Sequence, residues 1–489
     1  MNLKKLRQMN TQSFKKEHGS YKDPSGYVFY FEDKVYRYVN KKCFSFIAEF
    51  LKSGLYKELL IKQMIVDTKI INLEKNSLLQ EFFPEPVDQV FQHEKIEFIS
   101  YPYEWSFSMC KDAALLTLRI QEILLRHGYS LKDATPYNIQ FINSNPIFID
   151  ICSIEKLDQT GIWKPYNQFL QFWVYPMLLY RCGFRDFQMF YLKYIDGIPL
   201  EKVVSFLGIW KPFSRVGLFF DYLLPVMMSK SRYLQKKSEG AELKNRVNYE
   251  RIVLMTVKRL KRVVNKLGKN LLKGHWITYS ETHSYTEENE KKKIEFIRLA
   301  LEQEGTSSNM LLDMGCNTGE YSRLAARGGL YVVAIDSDID CIERIYVDAR
   351  DNQLPILPMC VDLFNPSPAL GWKNLERRSL LNRLESKFDF VLSVALVHHL
   401  LVTGRVPLPS IVELQKKLIK KFLITEFIGT NDRMFKKLMQ HRSENYDYYN
   451  ISYFRDIHLK HFEIVSEMRI VEKQSQMDRS LFLMKIKNS

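Results

Sequence analysis

The alternation of apolar and polar positions changes character along the chain. Near the amino terminus, GYVFYFEDKVYRYV alternates about Glu32-Asp33-Lys34, a period of two that predicts a β-hairpin. Val257, Leu260, Val264, Leu267 and Leu271 recur instead at helical spacing and predict an amphipathic helix docked on a neighbour. Beyond about Gly274 the two periods interleave. NMLLDMG, YVVAIDSD, ILPMCVDL, FDFVLSVALVHH and KFLITEF read as strands, with EYSRLAARG, DCIERIYVDAR and SIVELQKKLI as helices among them. Short β-rich runs separated by helical segments of about ten residues predict a mostly parallel sheet wound by right-handed crossovers, an α/β fold.

A chain of 489 residues exceeds one ordinary domain. The composition divides it into an aromatic-rich α+β region over 1–228, a basic helical linker over 229–274 and the α/β region over 275–489. Between Ser229 and Lys273 stand fourteen Lys or Arg against three Glu, most of the net charge of +15. A solvated helix face explains such a run; a surface for nucleic acid or a membrane is the alternative. The seven cysteines are scattered and never form C-x-x-C, which argues against a disulfide framework or a zinc cluster and for a reducing, cytoplasmic setting. The opening MNLKKLRQMN carries cations with no apolar run behind them, so no signal peptide is expected. FLQFWVYPMLLY and VGLFFDYLLPVMM are broken by Pro176 and Asp221 and fall short of a transmembrane helix.

The segment LLDMGCNTG, residues 311–319, passes from a buried strand into a bare turn. Gly315 and Gly319 let a ligand approach the main chain, and Asn317 tolerates positive φ. Asp336, at the tip of the next strand, offers a carboxylate to a ribose diol. A dinucleotide fingerprint would need glycine at 317 and 320, which are Asn and Glu. Glu320 would repel a pyrophosphate, whereas Asp313 and Glu320 together suit a phosphate-free ligand with a cationic part. The turn resembles the first motif of class I methyltransferases, h-h-D-h-G-x-x-x-G. That resemblance implies S-adenosylmethionine as cofactor, a Rossmann-like, mostly parallel seven-stranded sheet, Asp336 on the ribose and Asp362, after ILPMCV, near the adenine. DLFNPSPALGWKNLERRSLLNR, ALVHHLLVTGRVPLP and ITEFIGTND further resemble a bacterial subgroup of these enzymes related to nodulation protein NoeA, over essentially the whole chain. The acceptor is left open by it.

Methyl transfer needs the acceptor aligned and, where it is not already a nucleophile, deprotonated. His398 and His399, just past the fourth strand, are candidates for general base or acceptor positioner; one capping a helix and the other packing on the sheet is the alternative. Glu426, with Asp432, is a second candidate for substrate contact. Arg377, Arg378 and Arg383 would suit an anionic acceptor or form an exposed basic face. Trp276, Tyr279 and Tyr285 would close over the cofactor or acceptor, or pack the entry helix.

In the front half, LKDATPYNIQFINSNPIFID places Asp133 and Asn138 five apart and Asp150 twelve further on. This resembles the protein-kinase and aminoglycoside-kinase arrangement of a catalytic Asp, a metal-binding Asn and a metal-binding Asp. It implies a kinase-like front half with FISYPYEWSF linking two lobes, and a phosphotransferase or bifunctional protein as the alternative function. Leu131 replaces the kinase His, Ile151 and Cys152 replace Phe-Gly, and no glycine-rich loop precedes them. Lys41 or Lys42 paired with Glu49 is the nearest approach to the kinase lysine. Without metal, the three residues form a hydrogen-bonded turn.

Overall fold

The computed structural model describes residues 14–72, 89–157, 163–208, 221–222, 246–268, 287–302, 310–472 and 477–487. The front half opens with a five-stranded antiparallel sheet in the order β1-β2-β3-β5-β4, where β1 is Lys15–Lys16, β2 Gly26–Phe31, β3 Lys34–Val39, β4 Thr68–Ile71 and β5 Val90–His93. The hairpin read from alternation is β2–β3. Glu32 and Asp33 close it at φ 48° and 61°, the mirror-image turn that matches the strand twist. Helix α1 (Lys41–Lys52) begins where the Asn40 side chain accepts the Cys43 N–H. The FISYPYEWSF stretch then joins the sheet to α2 (Phe107–Arg126), whose central turns are largely buried. Two short pairs follow, β6 (Tyr129–Leu131) with β9 (Ile154–Lys156) and β7 (Ile139–Ile142) with β8 (Asn145–Phe148).

Helix α3 (Arg246–Leu267) lies along α2 and buries Val253, Val257, Leu260, Val264 and Leu267. Lys261 pairs with Glu122 of α2, and Arg259 with Asp221. Over 246–267 the basic segment is therefore docked on the front half, with Arg251, Lys258, Arg262 and Lys266 turned to solvent. Leu271, Trp276, Tyr279 and Tyr285 lie outside the described residues.

The rear half follows α4 (Glu287–Glu302). Its seven-stranded sheet runs β12-β11-β10-β13-β14-β16-β15, with β10 Met310–Met314, β11 Tyr331–Asp336, β12 Ile356–Cys360, β13 Phe388–Ser393, β14 Ile419–Ile428, β15 Phe462–Glu472 and β16 Met477–Ile486. The five strands from β12 to β14 are parallel, and β16 is antiparallel to both neighbours. This is the Rossmann-like, mostly parallel sheet expected of a class I methyltransferase. All five residues of β10 are buried, as both faces of a parallel sheet are covered by helices. Two of these are α5 (Glu320–Arg327) and α6 (Ile339–Asp351).

One expectation fails in detail. The strand read as FDFVLSVALVHH ends at Ser393, the chain turns at Ala395 with φ 51°, and Val397–Val402 form a short helix, α7.

The halves are tightly joined. Phe98 meets Phe388 and Phe141 meets Tyr346, each with ring centres 6.0 Å apart. Ser144 Oγ donates to the Ile356 carbonyl at 2.7 Å, and Asp112 accepts from Tyr346 and Arg350. The three arginines of the 377–383 segment neither line the cleft described below nor form an exposed basic face. Arg383 is buried in an ion pair with Glu104, Arg378 pairs with Glu17, and Arg377 stacks 3.9 Å over the Tyr137 ring. Aromatic faces and buried carboxylates on the front half give these cations better partners than solvent does.

Candidate functional site

A cleft of about 490 Å³ opens at the carboxyl ends of β10, β11, β12 and β13, where crossovers diverge to either side of the sheet. Its floor is the turn after β10. Gly315 and Gly319 stand at φ 71° and 80°, and Asn317 at φ 47°. A Cβ on Gly319 would sit 2.7 Å from Ile345 Cγ1 of α6, so this residue is bare for packing as well as for its backbone angle.

Asp336, at the tip of β11, faces this turn. Its Oδ2 accepts the Asn317 N–H at 2.8 Å and its Oδ1 the Asp338 N–H at 2.9 Å. Each oxygen keeps a further lone pair, so a carboxylate held this way can grip a ribose diol. Asn317 is fixed from a second side, where Cys341 Sγ lies 3.4 Å from its Oδ1. Asp313, beneath the turn, is buried and accepts from Ser322 Oγ at 2.6 Å; burial first, and then Asp336 nearby, push its carboxyl up to about 6. Asp362, beyond β12, is exposed at the rim and accepts the Phe364 N–H at 2.8 Å. Five of the six residues proposed for cofactor contact, Asp313, Gly315, Asn317, Asp336 and Asp362, thus border one cleft; Gly319 does not line it and lies in the turn between Thr318 and Glu320, which do. Its acids disfavour a phosphate and favour a cation.

The other wall comes from α4, α7 and the ends of β14 and β16. Glu426 does not line it but stands behind two residues that do: buried, its Oε2 accepts from Lys293 Nζ at 2.9 Å and from the Ala395 N–H at 2.8 Å. The expectation of a substrate-contacting Glu426 gives way to an ion-pair partner that also holds the Ala395 turn. Asp432 is likewise engaged. It caps α8 (Arg433–Met439) through the Met434 N–H and pairs with buried Arg479 of β16 at 2.8 and 3.2 Å.

His398 and His399 lie on α7, their ring centres 4.3 Å apart. His398 is buried with Nδ1 unpartnered, and burial, followed by neighbouring His399, lowers its pKa to about 3. His399 is half-buried and its pKa is also lowered by burial. Both imidazoles are therefore neutral near pH 7, each offering one donor and one acceptor.

Sequence reading missed Lys293 and Arg479. Lys293 does carry a signal: it shares a helical stripe with Ile297, Ala300 and Leu301, all buried, where a solvated lysine would not sit.

In the front half, Asp133, Asn138 and Asp150 do converge, on the hydroxyl of Ser153. Asn138 Nδ2 donates to Ser153 Oγ at 3.1 Å, and that hydroxyl reaches Asp150 and, at 3.3 Å, Asp133. Arg37 of β3 bridges Asp150 and Asp23 from the other side. Lys41 and Lys42 are exposed, so the buried cation here is Arg37, which the sequence did not single out. Among the described residues no group of three His, Cys, Asp or Glu side chains is arranged to hold a metal ion, and no helix is long and apolar enough to cross a membrane.

No family model matches the chain. Nodulation protein NoeA of Rhizobium meliloti (strain 1021) is 29% identical over 435 residues, which are 88% of this chain and 89% of that protein. Among solved structures, N-methyltransferase NodS from Bradyrhizobium japonicum WM9 aligns with 41% of this chain and 98% of its own, at 14% identity and a TM-score of 0.30. The magnesium protoporphyrin IX methyltransferase ChlM of Synechocystis PCC 6803, with bound SAM, aligns with 40% of this chain and 80% of its own, at 14% identity and a TM-score of 0.28.

Proposed function

We propose that the rear half is an S-adenosylmethionine-dependent methyltransferase. One observation carries this reading: a strand-end carboxylate, Asp336, is held by two main-chain N–H groups over a turn of three positive-φ residues, in a cleft bordered by acids. S-adenosylmethionine would supply a methyl group already activated on a sulfonium. Asp336 would hold its ribose, the Gly315–Gly319 main chain would admit it closely, and the carboxylates of Glu320 and Asp338 would favour its positive charge. His398 and His399 are the remaining candidates to orient the acceptor, because their neutral rings border the cleft.

Calorimetry with S-adenosylhomocysteine tests the assignment. Wild-type protein should bind it and Asp336→Ala should lose at least tenfold in affinity. Undiminished affinity in the variant would refute the role of Asp336, and no binding by wild type would remove the reading.

For the front half, the internal pairing of Asp150 with Arg37 and Ser153 favours a structural tie over phosphotransfer. We assign it as a scaffold that includes helix Arg246–Leu267. Magnesium-dependent ATP binding that is lost in Asp150→Ala would overturn this.

A further inference from the structure

The cleft has two chemically different ends, and the second says what the acceptor must be. Asp336 and Asp362 stand at the ends of β11 and β12, on one side of β10; α7 and the ends of β14 and β16 lie on the other. A nucleoside held by Asp336 therefore leaves the wall made by Lys293, His398, Ile428, Met434 and Arg479 for the group that receives the methyl. Among the described residues Lys293 and Arg479 are the only Lys or Arg side chains bordering the cleft, and each is already neutralised in a buried pair, with Glu426 and with Asp432. Against them, Glu290, Glu320, Asp336, Asp338 and Asp362 border the same space. An incoming carboxylate or phosphate would find no uncommitted cation among the described residues there, and would face carboxylates across a partly desolvated gap. Among the described residues of that wall the unsatisfied buried polar atom is neutral: Nδ1 of His398.

Building on the methyltransferase reading, we propose that the acceptor presents an uncharged O–H or N–H to His398, with no anionic group beside it, so that carboxylate and phosphate acceptors, nucleic acid among them, are excluded. The acceptor's lone pair forms the new bond to the methyl carbon while the carbon–sulfur bond breaks and its electrons stay on sulfur. The O–H or N–H proton passes to the imidazole and on to solvent. Because the sulfonium loses its positive charge in the same step, a proton arriving on His398 leaves the charge of the cleft unchanged. This is how a histidine so reluctant to ionise can take it.

The test uses aza analogues of S-adenosylmethionine, in which a nitrogen replaces the sulfonium sulfur and carries a methyl, a 2-hydroxyethyl or a carboxymethyl arm. Each is titrated into the full chain. The hydroxyethyl analogue should bind more tightly than the methyl one, the absence of that preference overturning the proposal, and the carboxymethyl analogue at least tenfold more weakly than the hydroxyethyl one. In His398→Ala the hydroxyethyl analogue should lose its advantage relative to the methyl analogue measured in the same variant. A carboxymethyl arm that binds as well as or better than the hydroxyethyl arm would overturn the proposal, as would a hydroxyethyl preference that survives in His398→Ala. Failure of all three analogues to bind wild type would instead overturn the methyltransferase reading beneath it.

Discussion

Gly319 shows how much a single hydrogen atom decides in this site. At φ 80° any L side chain is strained, and a Cβ would press into Ile345 of the helix that follows β11. Gly319→Ala should therefore cost roughly 1–3 kcal/mol, the scale of one strained backbone site, and lower affinity for S-adenosylhomocysteine at least tenfold. Urea unfolding and calorimetry measure the two separately. An alanine variant of native stability and affinity would show that the turn is not pinned. The two buried ion pairs lie at the opposite extreme of legibility. Gly315, Asn317 and Gly319 announce themselves by residue type, because few residues accept positive φ. Lys293 and Glu426 sit 133 positions apart and meet only through the fold, so nothing local could join them. Lys293→Met should destabilise by about 3–5 kcal/mol, since it strands a buried carboxylate, while the double variant Lys293→Met with Glu426→Gln should recover much of that loss. Equal losses in the single and double variants would mean that the pair is not coupled.

At the scale of elements, the parallel strands were readable because covered strands are continuous apolar runs and their turns are marked by glycine or acid. The same property hid the end of β13. SVALVHHLLV is apolar on either side of the boundary, and such a run does not distinguish strand from helix; the break is a backbone event at Ala395, held by its N–H to Glu426. The β15–β16 hairpin was not read at all. The 377–383 segment was misread because surface and interface arginines look alike in sequence; Arg383 is distinguished only by Glu104, Phe98 and Tyr101 arriving from the front half. Arg383→Ala would leave Glu104 buried without its cation. A loss of about 3–5 kcal/mol is expected, visible as a lower urea midpoint. A change below about 1 kcal/mol would place this pair in solvent.

For the whole molecule, the halves share buried aromatic contacts and ion pairs, and their stability should share one dependence on pH. Three histidines in different places are buried and neutral: His93 of β5 and His398 of α7, each lowered to about 3, and His458, lowered to about 4, all chiefly by burial. In the unfolded chain each titrates near 6.5. Below that value the unfolded state binds protons that the folded state refuses, so stability falls as pH drops from about 6.5 toward 4. Asp313 opposes this. Its folded value of about 6 lies above the ordinary 3.8, so the folded state gains a proton as pH falls through 6. Among these four groups three protons against one leave about two, a contribution of roughly 3 kcal/mol per pH unit near pH 5. Urea midpoints taken at pH 7.5, 6 and 5 should therefore drop with increasing steepness, in the signals of both halves. His458→Gln should flatten the profile by about one proton, because glutamine does not titrate where the His458 ring bonds the Phe454 carbonyl and Gln415. A midpoint unchanged between pH 7.5 and 5 would mean that these rings are solvated in the folded chain, and the neutral His398 on which the acceptor chemistry depends would go with them.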